Sequence, residues 1–232
     1  PMTLLGRNPM LIVIEGNMGV GKSTIAYQLA EHCNFKLFEE GADTNEAFKQ
    51  YLQLYYKDPS RWALEMQFWL MSQRFKQHQE ALSHIHTTGQ CCIMDRSIYG
   101  DTVFAQRNYL DGHISELGYK SYLAHRDVML RFLMVPQLTI YLDASPTICA
   151  ERIKLRSRTA EAGIPLEYLE GLENLYRDLM QDMEDMGSRV EFIDWSEFQS
   201  PDKVYEFIRG YNESYRWQGF RKTDDFRPEL HS

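Results

Sequence analysis

The first apolar feature of the chain is the unbroken run Met10-Leu11-Ile12-Val13-Ile14, rich in β-branched side chains and followed within two residues by glycine. A continuous run, as opposed to an alternating one, predicts a strand buried on both faces of a parallel sheet. Short runs at Lys36–Glu39, Cys91–Met94, Leu138–Leu142 and Val190–Ile193 predict further strands. Between them the period becomes helical. Lys22–His32 forms one such segment. Arg61–His86 lacks Pro and Gly and places Leu64, Phe68, Met71 and Phe75 at three- and four-residue steps, predicting a long helix with this apolar face and polar positions opposite. Pro146 opens a helix through Arg156, and Pro165 sits in the first turn of another that runs to about Met186 before Gly187 ends it. Strands alternating with helices predict an α/β fold of three layers, a five-stranded parallel sheet flanked by helices, because each parallel return needs a crossover long enough to hold a helix.

Composition narrows the class. Hydrophobic residues make up 44% and charged residues 25% of the 232 positions, the balance of a globular chain. That length suits one α/β domain over residues 1–232. Arg221–Ser232, polar and interrupted by Pro228, is expected to be poorly ordered. A formal net charge of -8 argues against a nucleic-acid polymer as partner, since a phosphate backbone attracts a surplus of Lys and Arg. Cys33, Cys91, Cys92 and Cys149 show neither CxxC spacing nor neighbouring His, which favours reduced thiols over a zinc site. The apolar run at Met10–Ile14 is too short to cross a membrane, and no signal-peptide cleavage pattern accompanies it. The expectation is an intracellular, cytoplasmic protein without membrane contact.

Gly16-Asn17-Met18-Gly19-Val20-Gly21-Lys22-Ser23 matches G-x-x-x-x-G-K-[ST] and lies between the first strand and the first helix, where a phosphate-binding loop belongs. Glycines allow backbone N–H groups to converge on phosphate oxygens, Lys22 adds positive charge, and the Ser23 hydroxyl suits Mg²⁺. Thr24 follows in the same turn. The loop predicts ATP with Mg²⁺ but does not name the acceptor.

Candidate acceptor-side groups sit at the carboxyl ends of later strands, the edge where open α/β sheets bind ligands. Glu39 and Glu40 end the second strand, and a carboxylate there can accept the proton of a substrate hydroxyl. Asp95-Arg96-Ser97 ends the third, with Asp95 placed to hold Mg²⁺ through water and Arg96 to reach a phosphate or carboxylate. Arg152 and Arg156 share one helical face and Arg158 lies just beyond, where Ser157 and Gly163 suggest a lid over about 152–164 whose arginines neutralise transferring phosphoryl oxygens. Gln67 and Arg74, seven residues apart on the long helix, can both face the edge of a nucleobase. Trp62, Met66, Trp69 and Met71 suit either a pocket lining or the core.

Together these residues resemble the deoxyribonucleoside kinase family, which contains deoxycytidine, deoxyguanosine and deoxyadenosine kinases. The resemblance spans nearly the whole chain and rests on the P-loop with Asn17, the Glu at the second strand, Tyr56-Lys57-Asp58-Pro59-Ser60-Arg61-Trp62, Asp95-Arg96-Ser97, the arginine-rich lid and Gly163-Ile164-Pro165-Leu166-Glu167-Tyr168. It implies a P-loop NTPase-type fold and 5′-phosphorylation of deoxynucleosides by ATP. Setting Asn45 on the family's Asn puts Glu40, rather than Glu39, at the catalytic base position, with Gly41 where the family usually has Pro. The resemblance further implies that Arg96 holds the 5′ end of the acceptor, that Tyr56 and Glu161 bind its 3′-hydroxyl, and that Arg74 with Asp101 favours purine deoxynucleosides or deoxycytidine over thymidine. Glu197 and Phe198, after the last strand, correspond to the adenine-contacting loop. A homodimer is implied as well. Two alternatives stay open: a nucleoside monophosphate kinase of the thymidylate kinase type, and a non-catalytic accessory protein like the complex I subunit that shares this fold.

Overall fold

The computed structural model describes residues 8–41, 44–156 and 163–214. Five parallel strands, β1 (Leu11–Gly16), β2 (Lys36–Phe38), β3 (Cys92–Asp95), β4 (Leu138–Asp143) and β5 (Arg189–Asp194), form one sheet in the order β2-β3-β1-β4-β5. All five lie where the apolar runs predict them. Central β1 is buried along its whole length. Its side chains divide between the two faces as the pleat requires. Leu11 and Val13 pack with Ala81, Ile85, Cys92 and Met94, while Ile12 and Ile14 join the larger cluster that includes Ile25 and Leu29.

The crossovers supply α1 (Lys22–Cys33), α2 (Glu46–Lys57), α3 (Pro59–Thr88), α4 (Ile98–Leu110), α5 (Glu116–Leu130), α6 (Pro146–Arg156), α7 (Leu166–Asp185) and α8 (Pro201–Ser214). Side-chain caps fix several starts. Asn45 accepts from Phe48 N–H, Asp58 from Arg61 N–H with Pro59 in the first turn, and Ser97 from Tyr99 and Gly100 N–H. Among the described residues no helix is long and apolar enough to cross a membrane.

One expectation about α3 needs correction. Its buried stripe runs through Ala63, Met66, Gln67, Leu70, Met71, Arg74, His78, Ala81 and Ile85, so of the expected apolar face Leu64, Phe68, Met71 and Phe75 only Met71 belongs to it, and Gln67 and Arg74 lie on the inner face. Leu64, Phe68 and Phe75 are half-buried beside it, where Phe68 meets Tyr122 and His125 of α5. The reason is the cavity described next, which gives buried polar side chains something to do. Of the remaining expectations, Arg158, Glu161 and the tail 221–232 lie outside the described residues, as does the middle of the expected lid.

Candidate active site

Strand β1 delivers Gly16 at its carboxyl end, and α1 begins six residues later behind Gly21, which adopts φ 107° and provides no side-chain cap. The first N–H groups of α1 are therefore left for an anion. Lys22 folds over the loop, its Nζ donating to Gly16 O at 3.0 Å and Asn17 O at 3.1 Å. Burial and the Arg96 charge lower its pKa to about 8, against the opposing pull of Glu40, Asp95 and Glu15. Gly19 has φ 79°, and a Cβ there would lie 2.8 Å from Cys149 O and 2.5 Å from Ile153 Cγ1, so α6 can rest on the loop only because this position lacks a side chain.

A cavity of about 420 Å³ opens beside the loop, lined by Met18, Lys22, Ser23 and Thr24 on one side and by Glu40, Tyr56, Gln67, Arg96 and Asp101 on the other. Of the two carboxylates ending β2, Glu40 is the one that enters. Its Oε1 lies 2.8 Å from Arg96 Nε and 3.5 Å from Arg74 Nη2. Burial alone would push this carboxyl up, but the charges of Arg96, Arg74 and Lys22 and the hydrogen bond from Arg96 overcome it and hold the pKa at about 2. Glu39 is exposed and lines a separate polar groove, its carbonyl accepting from Gln77 Nε2. Arg96 sits in the left-handed region at φ 68°, packs its guanidinium over the Phe104 ring at 4.5 Å and donates to the Tyr176 hydroxyl. Behind it, buried Arg74 pairs with Asp101 at 2.9 Å. Gln67, also buried, leaves Oε1 without a partner among the described residues, an acceptor available to a ligand in the cavity.

The opposite flank of the P-loop is organised by Arg152. Its guanidinium donates to Val20 O at 3.0 Å, Trp195 O at 2.8 Å and Ser196 O at 3.0 Å, and lies 4.1 Å from the centre of the Phe198 ring. Phe198 in turn covers the P-loop, close enough that a Cβ on Gly21 would meet its Cε1 at 2.8 Å.

This constellation has counterparts among known proteins. The sequence profile of the deoxynucleoside kinase family matches residues 12–213. The chain belongs to this family. Deoxyguanosine kinase of Dictyostelium discoideum is 39% identical over 202 residues, covering 87% of this chain and 70% of that protein. The structure of deoxyadenosine kinase from M. mycoides with the products dCMP and a flexible dCDP superposes with a TM-score of 0.73 at 26% identity, covering 89% of this chain and all of that one. A bovine protein named NADH dehydrogenase [ubiquinone] 1 alpha subcomplex subunit 10, mitochondrial, is 29% identical over 217 residues, covering 85% of this chain and 63% of its own length.

In this deoxynucleoside kinase most of the sequence-predicted residues meet around one cavity, with instructive exceptions. Asn17 is fully buried and spends its side chain on the fold, donating to Leu169 O of α7 at 2.9 Å and accepting from Met18 N–H at 2.8 Å. Val20 belongs to the core. Arg152, expected to neutralise phosphoryl oxygens, lines the cavity and also donates to three carbonyls that join α6 to the P-loop and to the segment after β5. Arg156 does line the cavity, whereas Glu197 is exposed and does not. Trp62 and Trp69 are half-buried and Met71 belongs to the core, while Met66 lines the cavity. Ser23 and Asp95 come together through a side-chain hydrogen bond, and Asp95 keeps a buried Oδ1 without a partner among the described residues. Such a hydroxyl and orphaned carboxylate oxygen fit a hard divalent cation.

Phe104, Asn108 and Tyr176 also frame the cavity or its guanidinium, and sequence reasoning missed them. Asn108 accepts from the Tyr55 hydroxyl at 2.9 Å, and Tyr55 is hydrogen-bonded to Tyr168. The signal for two of these was present: from Asp101, positions 104 and 108 fall on the same face of a helix.

Proposed function

We propose that this kinase transfers the γ-phosphoryl group of ATP to the 5′-hydroxyl of purine deoxynucleosides, deoxyguanosine and deoxyadenosine, with deoxycytidine as a further acceptor, producing monophosphates for nucleotide salvage. The observation that carries the reading is the meeting of Glu40, Arg96 and the Arg74–Asp101 pair at one end of a cavity whose other end is the P-loop. Glu40 accepts the hydrogen bond of the 5′-hydroxyl and takes its proton. Held near pKa 2 by its cations, it is a weak base, which suits a loose phosphoryl transfer in which the proton leaves late. Arg96 stabilises the transferring phosphoryl oxygens, Lys22 the terminal phosphates, and Gln67 with Asp101 contacts the base edge. Tyr56 and Glu161 bind the 3′-hydroxyl. Mg²⁺ bound with ATP would be held by Ser23 and Asp95 and would neutralise charge on the β- and γ-phosphates. The cysteines of the chain are free thiols, which supports work in the reducing cytoplasm, and we assign the kinase a homodimeric state.

A second reading, an accessory protein without turnover, is favoured by the likeness to the bovine NADH dehydrogenase subunit. Against it stands the intact set Lys22, Ser23, Glu40 and Arg96. The deciding experiment is ATP consumption with deoxyguanosine, deoxyadenosine, deoxycytidine, thymidine and dGMP as separate acceptors, compared by kcat/KM. Highest turnover of a purine deoxynucleoside is expected. Best turnover of thymidine would sink the base reading, turnover of dGMP alone would make the chain a monophosphate kinase, and no acceptor-dependent turnover would favour the accessory role.

A further inference from the structure

Glu15 is 1% exposed at the carboxyl end of β1, immediately before the P-loop. Nothing in phosphate binding requires an acid there, and burial raises its carboxyl pKa to about 7, against the lowering effects of Arg96, hydrogen bonds from Ser97, and Lys22. A buried carboxylate is retained where its hydrogen bonds achieve something.

We infer that Glu15 is a positioning residue for phosphoryl transfer, holding the Asp95-Arg96-Ser97 turn in the conformation that presents the Arg96 guanidinium to Glu40. The inference rests on the role given to Arg96 above. Glu15 Oε1 accepts from Ser97 N–H at 2.9 Å and from Ser97 Oγ–H at 2.6 Å. With the hydroxyl proton so directed, the Oγ lone pairs accept from Tyr99 and Gly100 N–H, both at 3.2 Å, and start α4. Arg96 N–H meanwhile donates to Ile14 O at 3.1 Å. The arginine is thus bracketed by bonds to two successive residues of β1 while it occupies a left-handed conformation disfavoured for any residue with a Cβ. Close approach is reserved for this contact: a Cβ on Gly100 would lie 2.2 Å from Glu15 Oε2. One strand therefore aims both the loop that takes the donor phosphates and the arginine that meets the acceptor.

The test is a double-mutant cycle with Arg96, on folded protein verified by circular dichroism. Glu15→Ala is expected to lower kcat by roughly 30- to 100-fold while KM for ATP stays within about threefold, since a misplacement of about 1 Å is enough for such a loss. Glu15→Gln, which keeps an acceptor oxygen for Ser97, is expected to recover about tenfold of it. In an Arg96→Lys background, followed by single turnover, Glu15→Ala should cost less than about threefold, the non-additivity of residues acting as one unit. If Glu15→Ala does not fold, Ser97→Ala takes its place in the cycle with an expected loss of about tenfold. A kcat within threefold of wild type, or a loss of full size repeated in the Arg96→Lys background, overturns the inference. Normal kcat in Arg96→Lys alone would instead overturn the role of Arg96, so the two failures are told apart.

Discussion

Arg74 of α3 and Asp101 of α4 form an ion pair of 2.9 Å with side chains only 1% and 3% exposed. The pair ties together the two helices that wall the cavity. Removing Asp101 leaves buried Arg74 only the longer 3.5 Å contact to Glu40 as counter-charge, and breaking a buried pair costs roughly 3–5 kcal/mol. Asp101→Ala should therefore lower the unfolding free energy by about that amount and raise KM for the deoxynucleoside more than KM for ATP. Denaturant unfolding and steady-state kinetics check both. A stability change under about 1 kcal/mol would mean the pair does not sustain the wall.

Glu40→Gln should reduce kcat by roughly two to four orders of magnitude with little effect on ATP binding; near-normal kcat would remove Glu40 from the role of base. The same variant has a signature in stability. The carboxyl falls from 4.5 to about 2 in the folded state, so its ionised form stabilises the protein above pH 4.5 and this stability is lost as pH falls towards 2. The contribution is roughly 3 kcal/mol. Urea unfolding should show a gap between wild type and Glu40→Gln at pH 6 that narrows by pH 3.

Lys22 supplies a third prediction. Its ammonium is lowered from 10.5 to about 8, and bound phosphates must restore the charge. Below pH 8 ATP binding finds the lysine already protonated; above it, binding takes up a proton and weakens by up to about tenfold per pH unit. Calorimetry at pH 9 in buffers of different ionisation enthalpy should report uptake approaching one proton, absent in Lys22→Met. Buffer-independent heats in the wild type would contradict the assignment.

Arg152 binds three carbonyls and lies over Phe198, so its loss should loosen the donor side alone. Arg152→Ala is expected to raise KM for ATP about tenfold and leave KM for the deoxynucleoside unchanged. Arg152→Lys should not restore it, because an ammonium cannot reproduce a planar fork that serves several acceptors and stacks on a ring. Equal effects on both substrates would show that the arginine acts more broadly.

The sheet was legible because parallel strands buried on both faces leave continuous apolar runs, and α6 and α7 because Pro146, Pro165 and Gly187 mark their ends. The P-loop was legible for a different reason, its local spacing, while the choice of Glu40 over Glu39 came from the family resemblance by way of Asn45, which caps α2. What escaped depends on contacts across the chain. Tyr176 meets Arg96 eighty positions away, Asn17 reaches Leu169, and Glu15 hides in an apolar strand as a single acid whose partner is Ser97. The buried stripe of α3 was set one position away, on Leu64, Phe68 and Phe75, because periodicity follows apolar side chains, whereas the inner face carries the polar Gln67 and Arg74 that line or back a cavity.

Sheet order sorts most of the residues proposed for the two substrates, with Glu161 and Tyr176, which follow β4 yet serve the acceptor end, as the exceptions. Glu40, Tyr56, Gln67, Arg96 and Asp101 follow β2 or β3 on one flank of β1, whereas Arg152, Trp195 and Phe198 follow β4 or β5 on the other. On the proposed assignment, a change in α3 or α4 would retune which nucleoside is accepted without disturbing the grip on the donor base, and a change after β5 would do the reverse. On that assignment acceptor range and donor preference are largely separately heritable, and the parts that must answer to both are the central strand and α7, whose Tyr176 reaches Arg96.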